Sequence, residues 1–111
     1  MNTSMLQINE MPIGFIKVAD SFLERFKGLM LCDPQNANYV LALSPCKQIH
    51  TFFMRFPIDV VFCDKGGRVL EVHRNIEPWK VDGYVLGAHI AFEALSDTFL
   101  KDVQVGDVIH F

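Results

Sequence analysis

A chain of 111 residues, half of them apolar and 21% charged, is long enough for one domain with a buried core and too short for two. This composition excludes a disordered polypeptide. A net charge of −3, with Lys and Arg scattered singly, excludes the dense positive footprint that nucleic-acid binding needs. No apolar run approaches the roughly 20 residues of a membrane-spanning helix. Met1 to Glu10 has neither the basic nor the apolar region of a secretory signal, so a cytoplasmic protein is expected.

Leu6 to Glu10 and Ile13 to Val18 read as two short strands broken at Met11-Pro12. Asp20 or Ser21 is placed to cap a helix, and Glu24 to complete a capping box. Phe22, Leu23, Phe26 and Leu29 recur at helical spacing, which predicts one short amphipathic helix with Gly28 near its end. Asp33 to Asn36 is a loop, Tyr39 to Leu43 an apolar strand, and Ser44-Pro45 its stop. Ile49 to Phe56 reads as extended up to Pro57. Ile58 to Phe62 reads as a strand covered on both faces.

Asp64-Lys65-Gly66-Gly67 is a tight-turn signal that makes Ile58–Arg74 a hairpin. Its second arm alternates in part, with Leu70 and Val72 on one face, Glu71 and His73 on the other. Pro78-Trp79 and Asp82-Gly83 mark a longer loop, followed by short strands at Val85-Leu86 and Ala88 to Leu95. Thr98 to Asp102 reads as one helical turn, and Val105-Gly106-Asp107 as a turn into a last strand, Val108 to Phe111. The expected fold is α+β but mostly β. It is a compact single-domain sheet or half-open barrel of short strands with one short N-terminal helix, spanning residues 1–111.

Cys32, Cys46 and Cys63 show no CxxC or zinc-ligand spacing and read as reduced, packed thiols. His50, His73, His89 and His110 form no HxxxH pattern, and His73 and His110 read as surface strand residues. No metal and no cofactor is expected.

The chemistry-bearing stretch runs from Cys46 to Asp59. If it is extended, Cys46 and His50 lie about 13 Å apart, too far for direct proton transfer. One uninterrupted strand over Ile49 to Phe56 places His50, Phe52, Met54 and Phe56 on one face, Thr51, Phe53 and Arg55 on the other. Arg55 suits a carboxylate or phosphate; equally, it ties strands together through Asp59 or Glu93. Asp59 and Glu93, each an acid in an apolar run, are either site carboxylates or groups satisfied by backbone N–H or by Arg. Trp79 on its loop either anchors the core or lines a groove.

In order along the chain, these motifs resemble one family. Glu24-Arg25-Phe26-Lys27-Gly28-Leu29-Met30 is similar to its R-x-x-G-L-M signature. The Cys46–Asp64 block, Pro78-Trp79, Glu93 and Val105-Gly106-Asp107-Val108 follow in the family's order. The family is the domain of unknown function 192, an uncharacterised bacterial and archaeal group, and the resemblance covers roughly Phe15 to Phe111. The chain departs from the pattern in three places. Phe53 stands where many members carry Trp, the Met54–Asp59 link is of the shorter form, and Ser96-Asp97 replaces a Gly. The resemblance implies a compact, strand-dominated fold in which a short helix carries the Gly-Leu-Met segment. It implies no assigned reaction; a bacterial chain is expected.

Three functions compete. The first is a non-enzymatic binding or accessory module with a groove for a small anionic or peptide-like ligand. Its candidate lining is Arg25, Met30, His50, Phe53, Met54, Arg55 and Trp79. The second is a hydrolase-like or transferase-like enzyme with His50 as general base and Asp59 or Glu93 orienting it. The third is a structural component of a larger assembly, to which ten Phe would lend an apolar strip. A protein partner is compatible with the first and third.

Overall fold

The computed structural model describes residues 2–19 and 21–111. Strands β1 (Asn2–Ile8) and β2 (Met11–Ala19) form an antiparallel hairpin. The chain reverses at Asn9 and Glu10, both left-handed with φ of 50° and 70°, as the primed two-residue hairpin turn requires. The break therefore comes before Met11-Pro12. Pro12 lies inside β2 opposite Gln7, where the register slips, a position that tolerates a missing N–H.

Helix α1 (Phe22–Lys27) carries the capping box: the Glu24 N–H donates to Ser21 Oγ at 3.1 Å and the Ser21 N–H to Glu24 Oε1 at 3.4 Å. Asp20, the alternative cap, lies outside the described residues. The helix is too short to bury a full stripe. Leu29, in the turn beyond it, is buried, while Leu23 is 75% exposed and Phe26 is also exposed. The Gly28-Leu29-Met30 segment lies in that turn, past the helix.

The remaining elements are β3 (Val40–Leu43), β4 (Gln48–His50), β5 (Ile58–Cys63), β6 (Val69–Ile76), β7 (Val81–Gly83), β8 (Ile90–Leu95) and β9 (Ile109–His110). Among the described residues, seven of nine strands form one mixed sheet in the order β6-β5-β8-β3-β2-β1-β9, parallel only between β2 and β3. β4 and β7 form a separate antiparallel ribbon.

Both faces of the central strands are covered. Leu41, Leu43, Val60, Phe62 and Ala91 pack with Leu29, Ile49, Met54 and Phe56. Their neighbours Val40, Ala42, Val61, Cys63 and Phe92 pack on the other side with Leu6, Leu100 and Ile109. This explains why β5 is apolar at nearly every position.

The sheet curls into a half-barrel whose outermost strands meet at one end. The Ile109 N–H donates to the Gly67 carbonyl at 2.9 Å, and the Val69 N–H to the Asp107 carbonyl at 2.8 Å. A side chain at Gly67 would forbid this closure. Its φ is 89°, and a Cβ there would lie 2.3 Å from the Ile109 oxygen. The radius of gyration is 12.3 Å, close to the roughly 13 Å of a single packed body of this length.

Several local expectations fail for identifiable reasons. The extended run over Ile49 to Phe56 stops at His50, and residues 51–56 turn. Thr51 forces the turn. Its hydroxyl donates to the Glu77 carbonyl at 2.6 Å and accepts the Lys80 N–H at 2.8 Å, while its own carbonyl accepts Trp79 and Met54 N–H groups. Thr51, Met54 and Phe56 are therefore buried together and Phe52 and Phe53 are exposed, so the two-face pattern does not form. In β6 a bulge at Leu70 moves it off Val72's face, so the two pack into different halves of the core. Asp82-Gly83 belongs to β7, Val85-Leu86 forms no strand, and 98–102 is a run of turns.

Candidate functional site

One cleft, about 390 Å³, lies where α1, the loop before β4 and the β4 edge face the middle of β8. Arg25, Lys27, Lys47 and His50 line it from α1 and the β4 side, and Glu93 from β8. Gly28 caps α1 with a φ of 50°, and its bare Cα lets the backbone descend onto the carboxyl group. A Cβ there would lie 3.2 Å from Glu93 Oε1. The R-x-x-G spacing thus sets Arg25 beside the cleft and Gly28 above its floor.

Glu93 is the unusual group. It is 1% exposed and flanked by apolar Phe92 and Ala94, and its Oε1 is buried without a hydrogen-bond partner. Burial pushes its carboxyl up from 4.5 to about 8, so most of it is protonated at neutral pH. The surroundings respond to it. Burial, the Cys32 thiol and the Glu93 carboxyl together raise Tyr39. Cys46 is pushed up to about 11, chiefly by burial; its Sγ donates to the Gln48 carbonyl at 3.1 Å. Burial also lifts Cys63 to about 12. Both groups are thiols at neutral pH and poor nucleophiles.

His50 reaches the cleft without a carboxylate partner. Its Nε2–H donates to the Phe26 carbonyl at 2.8 Å, and its Nδ1 accepts the Phe52 N–H at 3.2 Å. These bonds suit the Nε2–H tautomer and occupy both ring nitrogens. The expected pairing of His50 with Asp59 or Glu93 is not formed.

Asp59 lies elsewhere, buried in a second cleft with Arg74, Asn75, Ser96 and Lys101. Its oxygens accept the Asn75 N–H at 2.9 Å and the Asp97 N–H at 3.1 Å. It pins the β5–β6 ladder to the turn after β8, as backbone-satisfied acids do. Arg55 pairs with neither expected acid. The turn over residues 51–56 sends it outward to Asp33, with Nη1–Oδ1 at 2.6 Å, both side chains about half exposed.

Of the other sequence candidates, Met54 is buried beneath Gly28 and Met30 is half-buried beyond the helix. Phe53 and Trp79 are 50% and 59% exposed, their ring centroids 4.7 Å apart. They extend a chain of rings that starts at the cleft: Phe26 to His50 at 5.2 Å, His50 to Phe52 at 5.2 Å, Phe52 to Trp79 at 6.2 Å. The structure thus gathers Arg25, His50 and Glu93, sets Met54 beneath them and Phe53 with Trp79 beside them, and leaves Arg55, Asp59 and Met30 outside the cleft.

Lys27, Lys47 and Tyr84 also line the cleft and carry no pattern that marks them in sequence. His73 is no plain surface residue. Its Nδ1 lies 2.5 Å from Asp82 of β7 and its Nε2 2.8 Å from Glu71. Burial works against its charge, but these two carboxylates outweigh it and raise its affinity for a proton.

The fold and the cleft define a small strand-dominated domain with a buried acid under a basic rim. The family model of the domain of unknown function 192, described as "Uncharacterized ACR", matches residues 6–111, and the chain belongs to that family. A UPF0127 protein of the archaeon Thermococcus sibiricus is 41% identical over 73 residues, covering 60% of this chain and 46% of its own length. This chain spans between 46% and 61% of the length of that relative and of a similar one from Pyrococcus horikoshii. The curated relatives are archaeal and lend no support to a bacterial source.

Two solved structures share the fold at low identity. A Sinorhizobium meliloti protein provisionally named a transcription regulator has a TM-score of 0.85 at 15% identity, covering 98% of this chain and 93% of its own. A Novosphingobium aromaticivorans protein of unknown function has a TM-score of 0.77 at 16% identity, covering 88% and 76%. The family is uncharacterised, and none of these names assigns a reaction. No helix among the described residues is long and apolar enough to cross a membrane.

Proposed function

We propose that this domain is a cytoplasmic binding or accessory module whose cleft takes a small anionic or peptide-like ligand. The observation that carries this reading is Glu93 Oε1: a buried polar atom with no partner, at the floor of a cleft. Such atoms are rare, and leaving one unmade costs on the order of 1–3 kcal/mol, so a ligand group that pairs with it gains that back. Lys27 and Lys47 give the rim its positive charge, and the adjoining rings from Phe26 to Trp79 supply stacking surface for an apolar part of the ligand. Binding is favoured over catalysis because both nitrogens of His50 are held by backbone and Cys46 keeps its proton. The raised proton affinity of Glu93 favours a second reading, a small hydrolase-like or transferase-like enzyme in which this acid alone carries the proton.

Thermal-shift screening with small carboxylates, phosphates and dipeptides tests the first reading. A ligand at a hundred times its Kd adds about 2.7 kcal/mol, a rise of roughly 10 °C or more for a domain of this size. The rise is expected to vanish in a Lys27→Ala/Lys47→Ala variant. A panel without a shift, or shifts that survive the double substitution, would overturn the reading.

A further inference from the structure

We propose that the ligand of this cleft is a zwitterion, an amino-acid-like or peptide-like molecule whose ammonium group reaches the Glu93 carboxyl while its carboxylate rests against Lys27 and Lys47. The inference rests on the cleft being a binding site and adds the ligand's charge pattern.

Three observations converge on it. The floor and the rim have opposite character: one buried carboxyl below, two exposed lysines above. Among the described residues, no side chain hydrogen-bonds to Glu93 Oε1 at the floor. Glu93 acts electrostatically on the Tyr39 hydroxyl and the Cys46 thiol, and the Gly28 backbone at the carbonyl-rich end of α1 lies against its Oε1, with the Met54 methyl beside that glycine. None of these is a cation, and a helix C-terminus disfavours a carboxylate. Arg25 stands above, its Nη1 donating to the Ser44 carbonyl at 3.2 Å, and the upward shift of the Glu93 carboxyl has burial as its cause. A purely anionic ligand would satisfy the rim and meet a carboxyl group at the floor. A purely cationic ligand would satisfy the floor and meet two lysines. A molecule with an ammonium at its inner end and a carboxylate at its outer end satisfies both.

The proposal has a proton signature. With the carboxyl titrating at about 8, only about one-tenth is ionised at pH 7. An ammonium group binds the ionised form, so binding at pH 7 releases a proton, and affinity rises up to about tenfold as pH climbs past 8. A carboxylate ligand that accepts a hydrogen bond from the protonated acid shows the reverse dependence.

Isothermal titration of the full chain with 4-aminobutanoate and 6-aminohexanoate, against butanoate, hexanoate, butylamine and hexylamine, decides the matter. We expect at least one ω-amino carboxylate to bind at least about tenfold tighter than both of its singly charged counterparts. Its enthalpy should differ between phosphate and Tris buffers by the amount that one released proton demands. Glu93→Gln, which keeps the side-chain shape, should abolish the preference for the amine and the proton release, yet leave carboxylate binding at the rim. If hexanoate or hexylamine matches the zwitterion, or no proton is released, the charge pattern is wrong while the cleft remains a binding site. If none of the six compounds binds and the screen of carboxylates, phosphates and dipeptides is also silent, the cleft reading falls with it.

Discussion

Glu93→Gln also makes a stability measurement that needs no ligand. In the unfolded chain this carboxyl ionises near its ordinary value of 4.5; in the folded state burial holds its proton to about 8. Between those values the unfolded chain binds fewer protons than the folded one, so stability falls as pH rises. Below 4.5 the acid is protonated in both states and costs nothing. Above 8 the penalty is complete. The gap corresponds to roughly 5 kcal/mol over the whole window, and to on the order of 3 kcal/mol already at pH 7. Glutamine carries no proton to titrate and shows no such slope. Urea unfolding of both proteins at pH 5, 6, 7, 8 and 9 isolates the effect, because every other titrating group cancels in the difference between the two. The variant should gain on the wild type by a few kcal/mol from pH 5 to pH 9, with unchanged m-values. A constant separation across that range would refute the burial of a protonated acid, and with it the chemistry assigned to the cleft floor.

Four further expectations follow from the packing. Thr51→Val keeps the shape but strips partners from the Glu77 carbonyl and the Lys80 N–H, so it should cost about 1–3 kcal/mol in urea unfolding. Gly67→Ala places a Cβ against the Ile109 oxygen at a left-handed position and should destabilise by more than about 1–3 kcal/mol, with faster amide exchange at Ile109 than in the central strands. His73→Gln removes the imidazolium held between Glu71 and Asp82. Because that histidine's proton affinity is raised, its contribution is full below pH 6.5 and fades as pH rises through the higher folded value; the variant's deficit should therefore shrink from pH 6 towards pH 9 by thermal melting. Arg55→Ala, by contrast, breaks an exposed ion pair and should change stability by less than about 1 kcal/mol.

Some of this molecule is written locally. The Asp64 side chain accepts the Gly66 and Arg68 N–H groups at 2.9 and 3.0 Å, so four residues suffice to announce the β5–β6 hairpin. The nearly continuous apolar run of β5 states that both its faces are covered, and the capping box from Ser21 to Glu24 is complete within four residues. Such features are legible because their partners are sequence neighbours.

The extended reading of Ile49 to Phe56 fails because the partners of Thr51 lie at Glu77 and Lys80, beyond any local pattern. Arg55 finds Asp33 for the same reason. The candidate site divides along this line. Sequence alone marks Arg25, His50 and Glu93 as residues capable of chemistry. Only the curl of the sheet and the descent of α1 at Gly28 decide that these three share a cleft, that Asp59 does not, and that Lys27 and Lys47 join them. Residue type sets what a group can do. Its burial, its missing partner and hence its affinity for a proton are set by segments far along the chain, and the tertiary packing makes Glu93 a protonated floor, where in water it would be an ordinary carboxylate.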